Sequence, residues 1–307
     1  MNPRSAAHAS APGRRLSFYV APVMAGIFLL VTAAVLAAPV AARAGDDFAG
    51  LKKRLEKDGY DPKLLDSVYS QPEIHFDVKS VSLFFIHSEA RLNYDQFTTP
   101  QRIQTARQYM QQHIQELTAA QKAYGVDKEV ITAIILVETK LGTYLGASRI
   151  INTLSTMAAI SDPALREKLW RAIPESRRLS RQDFLKKAKR KSKWAYTELK
   201  ALLTHASREG IDPAAIRGSY AGAMGIAQFM PSNVLSLAQD GNNDGRIDLF
   251  NHADAIMSVA SYLSHYGWRP GIDRKTAYRV LLRYNYSKPY ANTVLKIAEL
   301  LKNAEKS

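Results

Sequence analysis

DKEVITAIILVETKLG, residues 127–142, reads as a buried helix carrying one carboxylate where a hydrophobe belongs. Asp127 is placed to cap its start by accepting from the amides of the first turn, and Val126 can staple against Ile131. Gly142 supplies the stop. Between them Val130, Ile134, Val137 and Leu141 form one helical stripe, and Ile131, Ile135, Glu138 and Gly142 form the row beside it. Glu138 therefore falls on the apolar side. A carboxylate flanked by aliphatic groups is poorly solvated as an anion, so it is expected to hold its proton towards neutral pH, as a general acid must. The competing reading is a glutamate at the core rim, hydrogen-bonded to a neighbouring helix.

Working outward, the whole chain has 307 residues, of which 46% are hydrophobic, enough for a sizeable core in one large domain or two small ones. Its formal net charge of +14 points to polyanionic surroundings: nucleic acid, an anionic membrane face or an acidic cell-wall polymer. The absence of cysteine excludes disulfides, thiolate metal sites, thiol nucleophiles and a lipid-modified N-terminal cysteine.

Residues 1–44 read as an export signal. Arg4, Arg14 and Arg15 precede an uncharged run over 16–42, and Ala42-Arg43-Ala44 forms a small-x-small cleavage site. The run is long enough to span a bilayer, so an uncleaved N-terminal anchor is the alternative, giving membrane attachment. Either outcome puts the remainder, 45–307, outside the inner membrane.

Up to Tyr124 the pattern is helical. Phe48, Leu51 and Leu55 share a face, and Asp61-Pro62 opens a helix through Leu64, Leu65 and Val68. Residues 78–92 show no clear pattern. Thr99-Pro100 opens a long helix to about Tyr124, with Ile103, Ala106, Met110, Ile114, Leu117 and Ala120 on one side. His75, His87 and His113 lack metal-ligand spacing. Beyond the Glu138 helix, Ile150, Leu154 and Met157 or Ala158 mark another helix. The run from Arg166 to Lys193 is the most cationic part of the chain, opposed only by Glu167, Glu175 and Asp183. It reads as a solvated helical arm rather than a nucleic-acid site, because an exported chain rarely meets nucleic acid and only Trp170, Phe184 and Trp194 could stack on bases. Trp194, Leu199, Leu202 and Leu203 then return to the core.

GSYAGAMGIAQFMP, residues 218–231, combines Gly218, Gly222 and Gly225, which let backbone approach closely, with the polar Ser219, Tyr220 and Gln228. Three motifs now coincide: Val137-Glu138-Thr139 with Gly142, this glycine-rich stretch with Gln228-Phe229-Met230-Pro231, and Arg283-Tyr284-Asn285 with Tyr290. Over about 48–301 their order and spacing resemble the membrane-bound lytic murein transglycosylase B family. The resemblance implies a mainly α, lysozyme-like catalytic core of packed helices with little or no β-sheet. It implies cleavage of the β-1,4 bond between N-acetylmuramic acid and N-acetylglucosamine in peptidoglycan glycan strands, leaving 1,6-anhydromuramic acid ends. Glu138 falls on the family's single catalytic acid, Ser219 and Gln228 on its substrate-contacting positions, and Tyr262, Tyr284, Asn285 and Tyr290 on its cleft wall. Tyr220, beside Ser219, is counted with the substrate-binding residues. These residue types suit a sugar groove, which needs aromatic faces for pyranose rings and amides or hydroxyls for their substituents. A hydrolytic muramidase and a non-catalytic peptidoglycan-binding scaffold are the alternatives.

In DGNNDGRIDLFNHAD, residues 240–254, oxygen-bearing Asp240, Asn242, Asp244 and Asp248 alternate, Gly245 sits at the sharp turn, and Arg246 would offer its carbonyl. This is the first part of an EF-hand-like calcium loop. Its twelfth position holds Asn251 instead of Glu, while Asp254 three residues later would close a longer loop, the form the resemblance implies. The competing reading is an Asp/Asn-rich surface turn without an ion. Calcium is thus the expected ion, in a structural role, and no organic cofactor is expected. Finally, GWRPGIDR, residues 267–274, leads at once into the last helices, where the family's best-known members insert a small domain. The cleft is expected to be more open on that side.

Overall fold

The computed structural model describes residues 46–86 and 93–304. The expected signal or anchor lies outside the described residues, as does His87. Among the described residues no helix is long and apolar enough to cross a membrane.

Local chemistry starts the first helices. α1 (Ala49–Lys57) buries Leu51 and Leu55. The carboxylate of Asp61 caps α2 (Pro62–Tyr69) by accepting from the Lys63 amide at 3.0 Å, and Pro62 occupies a position where no amide is needed. The patternless stretch contains α3 (Val78–Ile86), which buries Val81 and Phe85 and directs Phe84 to other neighbours. VSLFFI has no polar face against which a single stripe can be read.

The single helix expected over 100–124 is in fact two, α4 (Pro100–Gln112) and α5 (Ile114–Tyr124). His113 interrupts them at φ −113°, ψ 31°, and its ring lies 4.5 Å from that of Tyr109 and 4.5 Å from that of His252. A tertiary ring stack here overrides an uninterrupted apolar pattern.

α6 (Lys128–Thr139) is the centre, packed by α4, α5 and two later helices. The two-row reading needs correction, because every residue from Glu129 to Leu136 is buried. A helix enclosed on all sides is a core element. Each of Ile131, Ile134, Ile135 and Leu136 contributes roughly 1.5–3 kcal/mol of burial, which holds the helix firmly in place. Its ends also differ from expectation. Asp127 precedes the helix but its side chain makes no capping bond; Lys302 takes it instead as an ion-pair partner at 3.2 Å. The stop is Lys140, left-handed at φ 51°, followed by Leu141 at 64° and Gly142 at 83°. Gly142 only completes that turn.

β1 (Ser148–Arg149) leads into α7 (Ile150–Ala159), buried at every position. The basic run folds as α8 (Pro163–Ala172) and α9 (Arg181–Glu209). It is not a free arm: Leu169, Phe184, Ala188 and Ala195 are buried, and α9 packs along α7. Its cations occupy the outer face of an otherwise anchored helix.

β2 (Arg217–Gly218) pairs antiparallel with β1, Ser148 opposite Gly218, and single bridges continue from Gly218 to Met224 and from Met224 to Phe229. A Cβ on Gly146 would stand 2.2 Å from the Gly218 carbonyl oxygen, so the ribbon closes only with glycine there. Buried Glu198 of α9 accepts from both the amide and the hydroxyl of Ser232, each at 2.9 Å, fastening the start of α10 (Pro231–Leu237). α11 (His252–His265) packs on α5; α12 (Arg274–Tyr284) and α13 (Lys288–Ala304) follow, with α13 lying along α6. Only residues 266–273 join α11 to α12, as the short form requires.

Candidate active site and calcium loop

Between Glu129 and Thr139, α6 is open to solvent only at Val137 and Glu138. The carboxylate thus sits at a partly open point of an enclosed helix, with Thr139 fully buried just beyond it. One residue on, Thr139 Oγ1 donates to the Ile226 carbonyl at 3.0 Å and accepts from the Gly142 amide at 3.0 Å. This buried hydroxyl ties the end of α6 to the glycine-rich stretch.

Within that stretch Ser219 Oγ accepts from the amides of Ala221 and Ala223 at 3.2 and 3.1 Å, bending the backbone into a turn. Gln228 sits at φ 49°, an unfavourable conformation for a residue with a Cβ. The fold holds it there through its Nε2, which donates to the Gly225 carbonyl at 2.9 Å, and through the Met224–Phe229 bridge around it. Strain of this kind concentrates where a side chain must be aimed.

Three tyrosines close the other side. Tyr284 Oη donates to the Ala227 carbonyl at 2.6 Å and Tyr262 Oη to the Arg283 carbonyl at 2.7 Å. The Tyr262 and Tyr284 rings meet edge to face at 4.8 Å, and Tyr284 and Tyr290 lie parallel at 6.4 Å. Burial pushes the pKa of Tyr284 and Tyr290 well above the usual tyrosine range, and the negative charge of Glu138 adds to the rise. The buried Tyr290 hydroxyl has no partner at full hydrogen-bond geometry, yet it stands within hydrogen-bonding influence of the Glu138 carboxylate. The position is best read as a donor waiting beside that acceptor.

The fold thus brings Tyr284 and Tyr290 beside Glu138, with Tyr262 against Tyr284, Gln228 next to the Ala227 carbonyl that Tyr284 bonds, and Ser219 in the preceding turn of the same stretch. Asn285 ends α12 in an extended conformation, φ −138° and ψ 120°, and is partly exposed. Tyr220 reaches towards α3: its ring meets Phe84 at 5.9 Å, and Phe84 meets Trp194 of α9 at 5.9 Å. Sequence reasoning missed Phe84 and also Tyr94, whose ring meets Tyr290 edge to face at 6.5 Å. Tyr94 sits in polar NYDQF, where nothing marks it out.

The acidic loop is built from successive side-chain-to-amide turns. Asp240 accepts from the amides of Asp244 and Gly245, Asn242 from Asp244, and Asp244 from Arg246. Asn251 fails as a twelfth ligand for a reason: its Oδ1 accepts from the Ala253 amide and caps α11. Asp254 lies inside that helix. It is 1% exposed, and its two oxygens accept from Gly241 and Asp248 amides at 2.9 and 2.7 Å, spanning both ends of the loop. Burial raises its pKa above the carboxylate norm, against those amide bonds, with Asp240 adding to the rise. Among the described residues no three acidic or histidine side chains already converge as a metal cluster. The donor set is nevertheless all oxygen, and a buried carboxylate beside a second one suits a hard cation.

Residues 44–277 match the Transglycosylase SLT domain model. The chain belongs to that family. It is 32% identical over 245 residues to the membrane-bound lytic murein transglycosylase B of Escherichia coli K12, a match spanning 74% of this chain and 60% of that relative's length. Among solved structures it resembles the soluble lytic transglycosylase SltB1 of Pseudomonas aeruginosa at TM-score 0.68 and 24% identity, covering 84% of this chain and 99% of the other. It also resembles the Escherichia coli lytic transglycosylase Slt35 in complex with calcium, at 0.65 and 25%, covering 87% and 95%. SltB3 of Pseudomonas aeruginosa in complex with NAG-NAM-pentapeptide aligns at 0.65 and 20%, over 84% and 80%. The fold is therefore the lysozyme-like lytic transglycosylase fold, mainly α with one two-stranded sheet among the described residues.

Proposed function

We propose that the chain is a lytic transglycosylase that cleaves the β-1,4 bond between N-acetylmuramic acid and N-acetylglucosamine of peptidoglycan, leaving 1,6-anhydromuramic acid ends. The observation carrying this reading is Glu138, a carboxylate at the solvent-open end of an otherwise enclosed helix, flanked by buried tyrosine hydroxyls. Glu138 starts protonated and gives its proton to the glycosidic oxygen, so the C1–O bond breaks with the electron pair leaving on N-acetylglucosamine. Positive charge at C1 is met by the sugar's own N-acetyl group. Tyr290, whose raised pKa keeps it protonated and so a donor, steadies the Glu138 carboxylate so formed. That carboxylate then takes the proton of the muramic acid 6-hydroxyl, whose oxygen closes on C1. No water is consumed and Glu138 is protonated again.

In this reading Ser219, Tyr220, Gln228, Tyr262, Tyr284, Asn285 and Tyr290 bind the glycan, with the short 266–273 connection leaving one side of the cleft open. Asp240, Asn242, Asp244, the Arg246 carbonyl, Asp248 and Asp254 hold one structural calcium, which would neutralise the loop's carboxylates and fasten it to α11. Residues 1–44 export the chain or anchor it, and 45–307 act in the periplasm. The test is digestion of purified sacculi followed by mass spectrometry of the products. Muropeptides lighter by one water mark the anhydro ring, whereas reducing ends alone would make the enzyme a hydrolase.

A further inference from the structure

The charge surplus of the basic run is concentrated on α9. Around α8 the cations are answered: Arg171 and Arg181 pair with Glu167, and Arg178 with Glu175. From Lys186 to Lys193 no ion pair is found among the described residues. Phe184, Ala188, Ser192 and Ala195 point into the core, which fixes how the helix is turned. Lys187, Lys191 and Trp194, at i, i+4 and i+7, therefore run as one stripe along the border with α3.

That stripe is ordered by aromatic rings. Lys191 Nζ stands 5.1 Å from the Phe84 ring centre and 4.5 Å from that of Trp194; Lys187 Nζ stands 5.4 Å from Phe85. Both ammonium groups are partly desolvated, and both are pushed below the usual lysine range, first by burial and then by neighbouring cations, Arg190 in each case. Cations held together without a counter-ion are stabilised by any anion that arrives between them. The row continues from Trp194 through Phe84 to Tyr220, adjacent to Ser219 in the turn tied to α6.

We propose that Lys187 and Lys191, braced on the Phe84–Trp194–Tyr220 row, bind carboxylates of the stem peptide carried by the glycan strand, making the enzyme prefer peptide-bearing over naked strands. This rests on the lytic transglycosylase reading above. The aromatic faces are covered by the lysines, which disfavours base stacking and leaves the ammonium groups as the presented chemistry. Exposed Lys186, Lys189, Arg190 and Lys193 add a screened, longer-range attraction.

The experiment compares the wild type with Lys187→Gln/Lys191→Gln on intact sacculi and on glycan strands stripped of stem peptides by an amidase, reading anhydro ends. The expected result is a fall of about five-fold in the ratio of kcat/KM on peptide-bearing to naked strands, carried by KM, and shrinking of the wild-type preference at high salt. Lys191→Glu lowers the ratio further. A ratio equal to that of the wild type in both variants overturns the proposal. So does loss of binding to phosphatidylglycerol vesicles with the ratio intact, which would assign the face to a membrane. If wild type releases no anhydro ends from either substrate, the transglycosylase reading itself has failed.

Discussion

Thr139 Oγ1 donates a hydrogen bond to the Ile226 carbonyl at 3.0 Å, and this bond ties the helix bearing Glu138 to the glycine-rich stretch bearing Ser219 and Gln228. The same oxygen accepts from the Gly142 amide. Thr139→Val keeps the shape but leaves a buried carbonyl and an amide without a partner, at a cost of about 1–3 kcal/mol. The urea midpoint should fall accordingly, and turnover should fall more steeply than the stability loss explains. A valine variant as stable and active as the wild type would show that the tie is dispensable.

Glu138→Gln removes the transferable proton and preserves the volume. Turnover on sacculi should drop by about two to four orders of magnitude while the far-UV spectrum and glycan binding persist. Stability should be equal or slightly higher, since an amide is easier to bury than a carboxylate. Near-wild-type turnover by the folded variant would remove Glu138 from the acid role.

Calcium should raise the melting temperature by binding the folded loop alone, with about 2.7 kcal/mol of stabilisation at a hundred-fold excess over Kd. Asp254→Asn should abolish the difference between melts in calcium and in chelator, because that buried carboxylate joins both ends of the loop. Identical wild-type melts in the two conditions, with no heat of binding in calorimetry, would leave the loop as an acidic surface turn.

His252 bonds Tyr109 Oη at 2.9 Å through Nδ1 and stacks on His113, and burial followed by that second histidine holds its pKa below the usual 6.5. His205 is held below 6.5 by burial as well. A group whose folded value is depressed takes up protons first in the unfolded chain. Stability is thus full above about pH 6.5 and declines as pH falls from there through the folded values. Urea midpoints at pH 7.5 and 5.5 measure this, and His252→Gln should flatten the dependence. An unchanged slope in that variant would place the titration elsewhere.

Much of this molecule is legible without coordinates because caps and periodicity act within a few residues. Asp61-Pro62 and Thr99-Pro100 open helices as read, and Phe48, Leu51 and Leu55 are buried together. The spacing around Glu138, Gly218 and Tyr284 identifies the family, since backbone turns and a lone carboxylate need particular residues at particular places. Other features depend on partners far along the chain. No local rule shows that α6 is enclosed on every side, because its cover comes from α4, α5, α11 and α13. The break at His113 answers to a ring in α11, and Asn251 caps a helix because α11 begins there. Tyr220 adjoins the site in sequence yet turns to Phe84, while Lys187 and Lys191 are ordinary members of a basic run until α3 lies beside them. Composition and short-range stereochemistry therefore determine the elements and the chemistry available. Which faces meet, and so which polar groups lose water and which cations lack partners, is decided only by long-range packing.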